Sequence, residues 1–352
     1  MSNAPENDAH PLSPESEGAG ENTSPQQNPS FEAALAERIH VFAPEPEPVA
    51  TADPDLSARI HLHPLTADEP QLFQNWEQPV RPRTERIPNI GHFALVGAMA
   101  VVSLLATSLV IALALHMHLF GVTSREQATL DIHYTLGSEA ILYLLTLVFA
   151  LVSFPMIWGR SFFAGIQWNG ATAYRLHTRL FLAAIACFLF AIVTGSLMPG
   201  PKDAPIDKIF QSPGAPWLLF AFGISFAPFF EEIFFRGFML PSLCTACDWV
   251  NERIRHTAPP PLGANGHPQW STGAMITGSI FTSLPFAAVH AAQNGYAVGP
   301  FVLLVLVSAV LCVVRLTTRS VASSVLVHAS YNFLLFSIML AGSNGFQHID
   351  KL

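Results

Sequence analysis

Residues 217–240 read WLLFAFGISFAPFFEEIFFRGFML. The run is long and apolar enough to cross a bilayer, which takes roughly twenty mostly apolar residues. Yet it holds two adjacent glutamates, Glu231 and Glu232, with Arg236 close behind. Charge inside a membrane is costly, so an ionisable group within a span points to function. Helix geometry separates the three. Glu232 and Arg236 are spaced i, i+4 and share a face, where an ion pair can form. Glu231 is turned by about 100° from Glu232. It is the carboxylate left without a helix-local partner, and therefore the candidate general base. Pro228, one turn earlier, cannot donate to the helical ladder and should kink the span and free a carbonyl. Irregular backbone at depth is tolerated only where it is buried in protein or lines a cavity.

Six further apolar runs flank this one, at about 92–115, 137–158, 178–198, 271–291, 298–314 and 320–341. They are continuous rather than alternating, which excludes β-barrel spans and predicts helices. The expected fold is all-α, a polytopic transmembrane bundle of seven or eight spans. An amphipathic stretch near 122–135 should lie on the surface. Glu139, at the mouth of the second run, is read as structural.

Composition agrees, since 51% of the 352 residues are hydrophobic and 12% charged. A soluble domain carries about twice that charge. Residues 1–88 hold fifteen acids, five arginines and half of the 28 prolines. Such a segment buries too little apolar surface to offset chain entropy, so a long disordered tail is expected. Within it Phe31–Phe42 has helical spacing. No basic patch followed by an apolar run opens the chain, so the first span should itself serve as the targeting anchor. Residues 89–200 then form the first transmembrane helices and 201–345 the catalytic membrane domain. Arginines gather before the first span and in the second, fourth and sixth loops (Arg160, Arg175, Arg179, Arg236, Arg253, Arg255, Arg315 and Arg319). That bias puts the N-terminus in the cytoplasm of a multi-pass protein of the cell membrane. The proline-rich insert His256–Gln269 reads as a surface excursion. Cys187 and Cys312 read as core residues, and Cys244-x-x-Cys247, lacking a second pair, is not taken as a metal or redox site. No basic stripe suggests nucleic acid.

Two later runs supply complementary groups. Phe286 and His290 share a face, with Pro285 before them, and so do His328 and Asn332. Singly, each reads equally well as a polar contact between helices. Together, Glu231-Glu232-x-x-x-Arg236, Phe286-x-x-x-His290 and His328-x-x-x-Asn332 resemble the three-motif signature of the CPBP family. That family includes the type II CAAX prenyl endopeptidases and the bacterial Abi or bacteriocin-immunity proteins. The resemblance covers roughly residues 216–340, and the insert lengthens the usual gap between the first two motifs. It implies an intramembrane endopeptidase acting on a peptide or membrane-protein substrate. In that reading Glu231 activates a water with help from His290, while His328 and Asn332 stabilise the oxyanion. Glu232 and Arg236 hold the first helix in register.

No HExxH, Gly-x-Ser-Gly or Gly-x-Gly-Asp pattern points to the other intramembrane protease chemistries. Zinc stays open beside a metal-free mechanism, because Glu231, His290 and His328 could supply three ligands. A proton-coupled transporter or an inert scaffold or immunity protein stays open as well. One mismatch attends the spans. At 1.5 Å per residue His290 lies about 28 Å beyond Ser271, but His328 only about 10 Å beyond Val321. If the two histidines meet, the fifth helix must start well inside the cytoplasm, tilt, or kink at Pro285.

Overall fold

The computed structural model describes residues 86–198, 214–260, 262–263, 266–343 and 345–346. The chain divides into two compact units, Met1–Gln78 and Pro79–Leu352. The first lies outside the described residues, as do the Phe31–Phe42 segment and the rest of the tail up to residue 85. Arg86 and Ile87, grouped with the tail on composition, are packed. Arg86 Nη2 donates to Glu252 Oε1 at 2.6 Å, and Ile87 is buried.

Every regular element among the described residues is helical. The long helices are α1 (Ile90–His116), α3 (Ile132–Trp158), α6 (His177–Leu197), α7 (Ala215–Arg255), α8 (Thr272–Val289), α9 (Val298–Thr318) and α10 (Val321–Gly342). Among the described residues these seven are the ones long and apolar enough to cross a membrane. Short helices α2 (Arg125–Leu130), α4 (Phe162–Gly165) and α5 (Gly170–Arg175) lie between them. Exposed apolar residues such as Leu105, Leu109, Met156 and Leu197 cover the outside. An apolar surface so continuous suits lipid rather than water.

Local signals set the ends. Asn89 Oδ1 accepts from the amides of Gly91 and His92, and His92 Nδ1 accepts from the Asn89 amide, a reciprocal cap at the start of α1. Asp131 caps α3, so the amphipathic stretch near 122–135 is α2 followed directly by α3. Gly159, at φ +63°, ends α3 in the left-handed conformation that glycine adopts without strain.

Helix α7 is the centre of the bundle and touches α1, α3, α8, α9 and α10. It contains two π-helical segments, Phe222–Phe226 and Ile233–Met239. The first follows from Pro228. The Ala227 amide reaches back five residues to the Phe222 carbonyl, and Pro228, next in line, has no hydrogen to offer the Gly223 carbonyl. Such segments cluster at functional sites.

The span expected at 216–240 runs on to Arg255, so Arg253 and Arg255 belong to a helix. Its last part, Leu240–Arg255, pairs with the start of α8. Ser271, the N-cap of α8, donates from both its amide and its hydroxyl to Asp248, and Trp270 Nε1 donates to Thr245 at 3.0 Å. This extension removes the depth mismatch. The start of α10 packs near Phe238, since Val321 and Phe238 share one core cluster, whereas α7 and α8 both continue past that level. Two arginines counted as loop cations are corrected in the same way. Arg236 and Arg315 are buried inside the bundle, because each satisfies polar groups there that no solvent reaches.

Candidate active site

The site forms where α7, α8 and α10 meet. Glu231 stands on the α-helical turn between the two π segments. His290 caps the C-terminus of α8, one turn beyond Phe286 and Pro285, and His328 is two turns into α10. His290 Nε2 lies 3.8 Å from Glu231 Oε1, and His328 Nε2 lies 4.0 Å from Glu231 Oε2. Three side chains from three helices, 59 and 38 positions apart along the chain from Glu231 to His290 to His328, thus converge on one carboxylate. Glu231 Oε2 is buried and accepts no hydrogen bond.

The partners of the other ring nitrogens fix both tautomers. His290 Nδ1 lies 2.8 Å from the Phe286 carbonyl, which can only accept, so Nδ1 carries the hydrogen. His328 Nδ1 lies 2.9 Å from Glu232 Oε1 and donates to that carboxylate. In the neutral rings both Nε2 lone pairs therefore face Glu231.

Glu232 and Arg236 form the support that their spacing predicted. Arg236 Nη1 donates to Glu232 Oε1 at 2.8 Å, and both side chains are wholly buried. A buried pair is costly unless its other polar atoms find partners, and here Nη2 finds two while Arg236 Nε and Glu232 Oε2 find none. Arg236 Nη2 donates to the Ser308 carbonyl at 3.0 Å and hydroxyl at 2.6 Å. The guanidinium also lies over the ring of Phe286, 4.6 Å from its centroid. That ring sits 5.0 Å from His290 and 5.8 Å from His328, wedged between the two imidazoles.

Asn332, one turn past His328, donates from Nδ2 to the Gly223 carbonyl at 2.7 Å, the group freed by the first π segment. Its amide has a second hydrogen beyond that bond. Arg315 serves the second π segment. Its Nε donates to the Arg236 carbonyl at 3.0 Å, and its Nη2 to the Ile166 carbonyl at 3.3 Å.

Ser308 and Arg315 were not singled out in the sequence. Their signal was present, because Ser308, Cys312 and Arg315 follow at i, i+4 and i+7 and line one face of α9. Glu139 is the other addition. It lies two turns into α3 and lines a cavity of about 270 Å³ that Glu231 and His290 also line. Cys244 and Cys312 are core residues of one apolar cluster against which Cys247 packs.

The carboxylate and two bare Nε2 atoms have the chemistry of a zinc site, and Glu232 on His328 is the outer partner such a ligand keeps. The spacing does not match. Tetrahedral zinc, about 2.0–2.1 Å from each ligand, would set the donor atoms about 3.4 Å apart. Among the described residues no group of three His, Cys, Asp or Glu side chains is placed to hold a metal ion.

Seven lipid-compatible helices around a Glu–His–His cluster define a polytopic membrane protein. Residues 213–334 match the family model described as Rce1-like, type II CAAX prenyl endopeptidase Rce1-like. All three motifs lie inside that stretch, and the match agrees with the family resemblance they carry. No curated protein and no solved structure matches the chain.

Proposed function

We propose that this protein is an intramembrane endopeptidase that hydrolyses a peptide bond with a water activated by Glu231. The observation that carries the reading is the convergence of both imidazole Nε2 atoms on one buried carboxylate. A gap of 3.8 Å is too long for a hydrogen bond and suits one bridging water. Water bound there gives one hydrogen to Glu231 and the other to His290 Nε2, and its lone pair is left for the substrate carbonyl. As the carbon–oxygen bond forms, the water proton passes to Glu231. His328 and Asn332 then stabilise the oxyanion. With its Nδ1–H held by Glu232, His328 can donate from Nε2 only when both ring nitrogens carry protons, and Glu232 is its counter-ion. Preorganised donors of this kind act strongly where water is scarce. Collapse of the intermediate breaks the carbon–nitrogen bond.

No step runs through a metal. The substrate is a peptide or a membrane-protein segment, and the CAAX prenyl description of the matching family makes a farnesylated peptide the first probe. The arginines that stay exposed, Arg175, Arg179, Arg253, Arg255 and Arg319, support a cytoplasmic N-terminus in a protein of the cell membrane. The test is cleavage of a quenched peptide library, including farnesyl-CAAX peptides, by the full chain in nanodiscs, compared with Glu231→Gln. Cleavage by wild type alone supports the reading. Equal cleavage by both proteins, or by neither, overturns it in favour of a proton relay or scaffold.

A further inference from the structure

The cavity beside Glu231 contains a second carboxyl group. Glu139 lies two turns into α3, and its wall of the cavity is shared with Tyr143, Phe230, Phe234, Glu231 and His290. Tyr143, one turn along α3, donates its hydroxyl to Glu139 Oε1 at 3.0 Å. The ring of Tyr143 in turn stacks on Phe230, the neighbour of Glu231, with centroids 5.1 Å apart and planes 17° apart. Glu139 is therefore fixed against the same turn of α7 that presents the base, and it is within electrostatic reach of both Glu231 and His290.

The two carboxyls have different company. Glu231 faces His290 and His328 and lies one residue from the Glu232–Arg236 pair. Glu139 makes no ion pair with a cation among the described residues, and its hydrogen-bond partner is a neutral hydroxyl. Two carboxylates in one apolar cavity repel, so a single proton is retained between them. Glu231 acts as base only while ionised, so in the reacting state that proton must be on Glu139. Tyr143 occupies Oε1, which leaves Oε2 as the acidic oxygen.

We propose that Glu139 is the proton donor to the leaving amine, the acid that complements Glu231 as base. The inference rests on the endopeptidase reading and assigns the step that reading leaves open. Water gives its proton to Glu231 as its oxygen bonds the scissile carbon. When the carbon–nitrogen bond breaks, the electron pair stays on nitrogen, which takes the Glu139 proton and leaves as a neutral amine. Glu231 then returns its proton to Glu139 through water in the cavity, and both groups are restored.

An amide needs this donor because an amine anion is a poor leaving group, whereas an ester oxygen leaves without it. The experiment pairs the quenched peptide selected by the library screen with its depsipeptide, in which oxygen replaces the scissile nitrogen. Both are assayed with the full chain in nanodiscs. Glu139→Gln keeps the acceptor for Tyr143. It should lower kcat on the peptide by about 10²-fold or more, the range of general acid catalysis, with KM unchanged and ester turnover within a few-fold of wild type. Glu231→Gln should lose both substrates, and if wild type cleaves neither, the endopeptidase reading falls and this proposal with it. Equal losses on peptide and ester, a rise in KM alone, or wild-type peptide cleavage by Glu139→Gln would each overturn the assignment. If Glu139→Gln does not fold, Glu139→Ala with added formate replaces it. Peptide cleavage that rises with formate supports the donor role, and cleavage indifferent to formate refutes it.

Discussion

The side chain of Asn332 holds the carbonyl of Gly223, 2.7 Å away, which Pro228 leaves without a partner in α7. The same side chain is therefore a structural tie between α10 and α7 and, through its second amide hydrogen, the proposed oxyanion donor. Asn332→Ala should show both losses. Removing one oxyanion donor costs about 10²–10³-fold in kcat. Orphaning the partly buried carbonyl costs stability as well, at most about 1–3 kcal/mol. Kinetics and thermal unfolding of one purified variant measure both, and loss of activity with unchanged stability would remove the tie.

Glu232 accepts from Arg236 and from His328 through the same oxygen. Glu232→Gln should accordingly lower stability and activity together, since it weakens the buried pair and loosens His328. Breaking a buried pair from one side costs about 3–5 kcal/mol. Arg236→Gln added to it should recover part of the stability but not the activity, because Phe286 and Ser308 lose their cation while His328 stays loose. A double-mutant cycle without coupling between positions 232 and 236 would contradict the geometry.

Arg315 is expected to matter for stability although it touches none of the proposed reacting groups. It holds two main-chain carbonyls, of Arg236 and Ile166, from 79 and 149 positions away. Arg315→Met should leave both unpaired, for a loss of roughly 2–6 kcal/mol at about 1–3 kcal/mol each. Arg315→Lys, with one compact ammonium instead of a fork, should recover only part. Chemical unfolding in detergent decides, and wild-type stability of Arg315→Met would show these bonds to be incidental.

What the sequence disclosed follows from the range of the forces involved. Spans are set by local hydropathy, and their expected positions fall within a few residues of six of the seven helices. The end of α7 was not legible in that way. Leu240–Arg255 is held as a helix by α8, through Asp248 on Ser271 and Thr245 on Trp270, and these are tertiary contacts. The two π segments carry the same local signal. Pro228 and Pro241 each lie two residues beyond a segment and five beyond the carbonyl that Asn332 or Arg315 takes, although Pro241 was not singled out in the sequence. Glu231, Glu232 and Arg236 were legible because charge in an apolar run is conspicuous. Ser308 was not, since one hydroxyl in α9 reads as an ordinary small residue. Glu139 was misplaced along α3 by about one and a half turns, because Asp131 starts the helix earlier than its apolar run begins.

A pH dependence is expected outside the membrane, at His267 in the loop before α8. Burial first, and then the charges of Arg160, Arg315 and Arg319, push this imidazole down from 6.5 to about 4. A histidine lowered in the folded state favours folding while neutral. Its contribution is complete above about 6.5 and is lost as pH falls towards about 4. Amide exchange around His267 should speed up across that window, and His267→Gln should flatten the response. Exchange that is independent of pH, after correction for intrinsic rates, would show that the loop does not depend on the neutral ring.

The sharpest expectation concerns Glu231 itself. Glutamine in its place preserves shape and is cheaper to bury than a charge, so the fold should survive. It cannot take the water proton, so cleavage should fall by about 10²–10⁴-fold. His290→Gln removes the second acceptor on the water and should cost less than Glu231→Gln, because the carboxylate remains. The metal question is settled in the same assay. With donor atoms 3.8 and 4.0 Å apart, chelation of the wild-type protein should leave activity unchanged. Activity lost to a chelator and restored by zinc would make Glu231 a ligand instead of the base. Full cleavage by a folded Glu231→Gln protein would remove it from the reaction altogether, and the convergence of two histidines on it would then describe a packing contact.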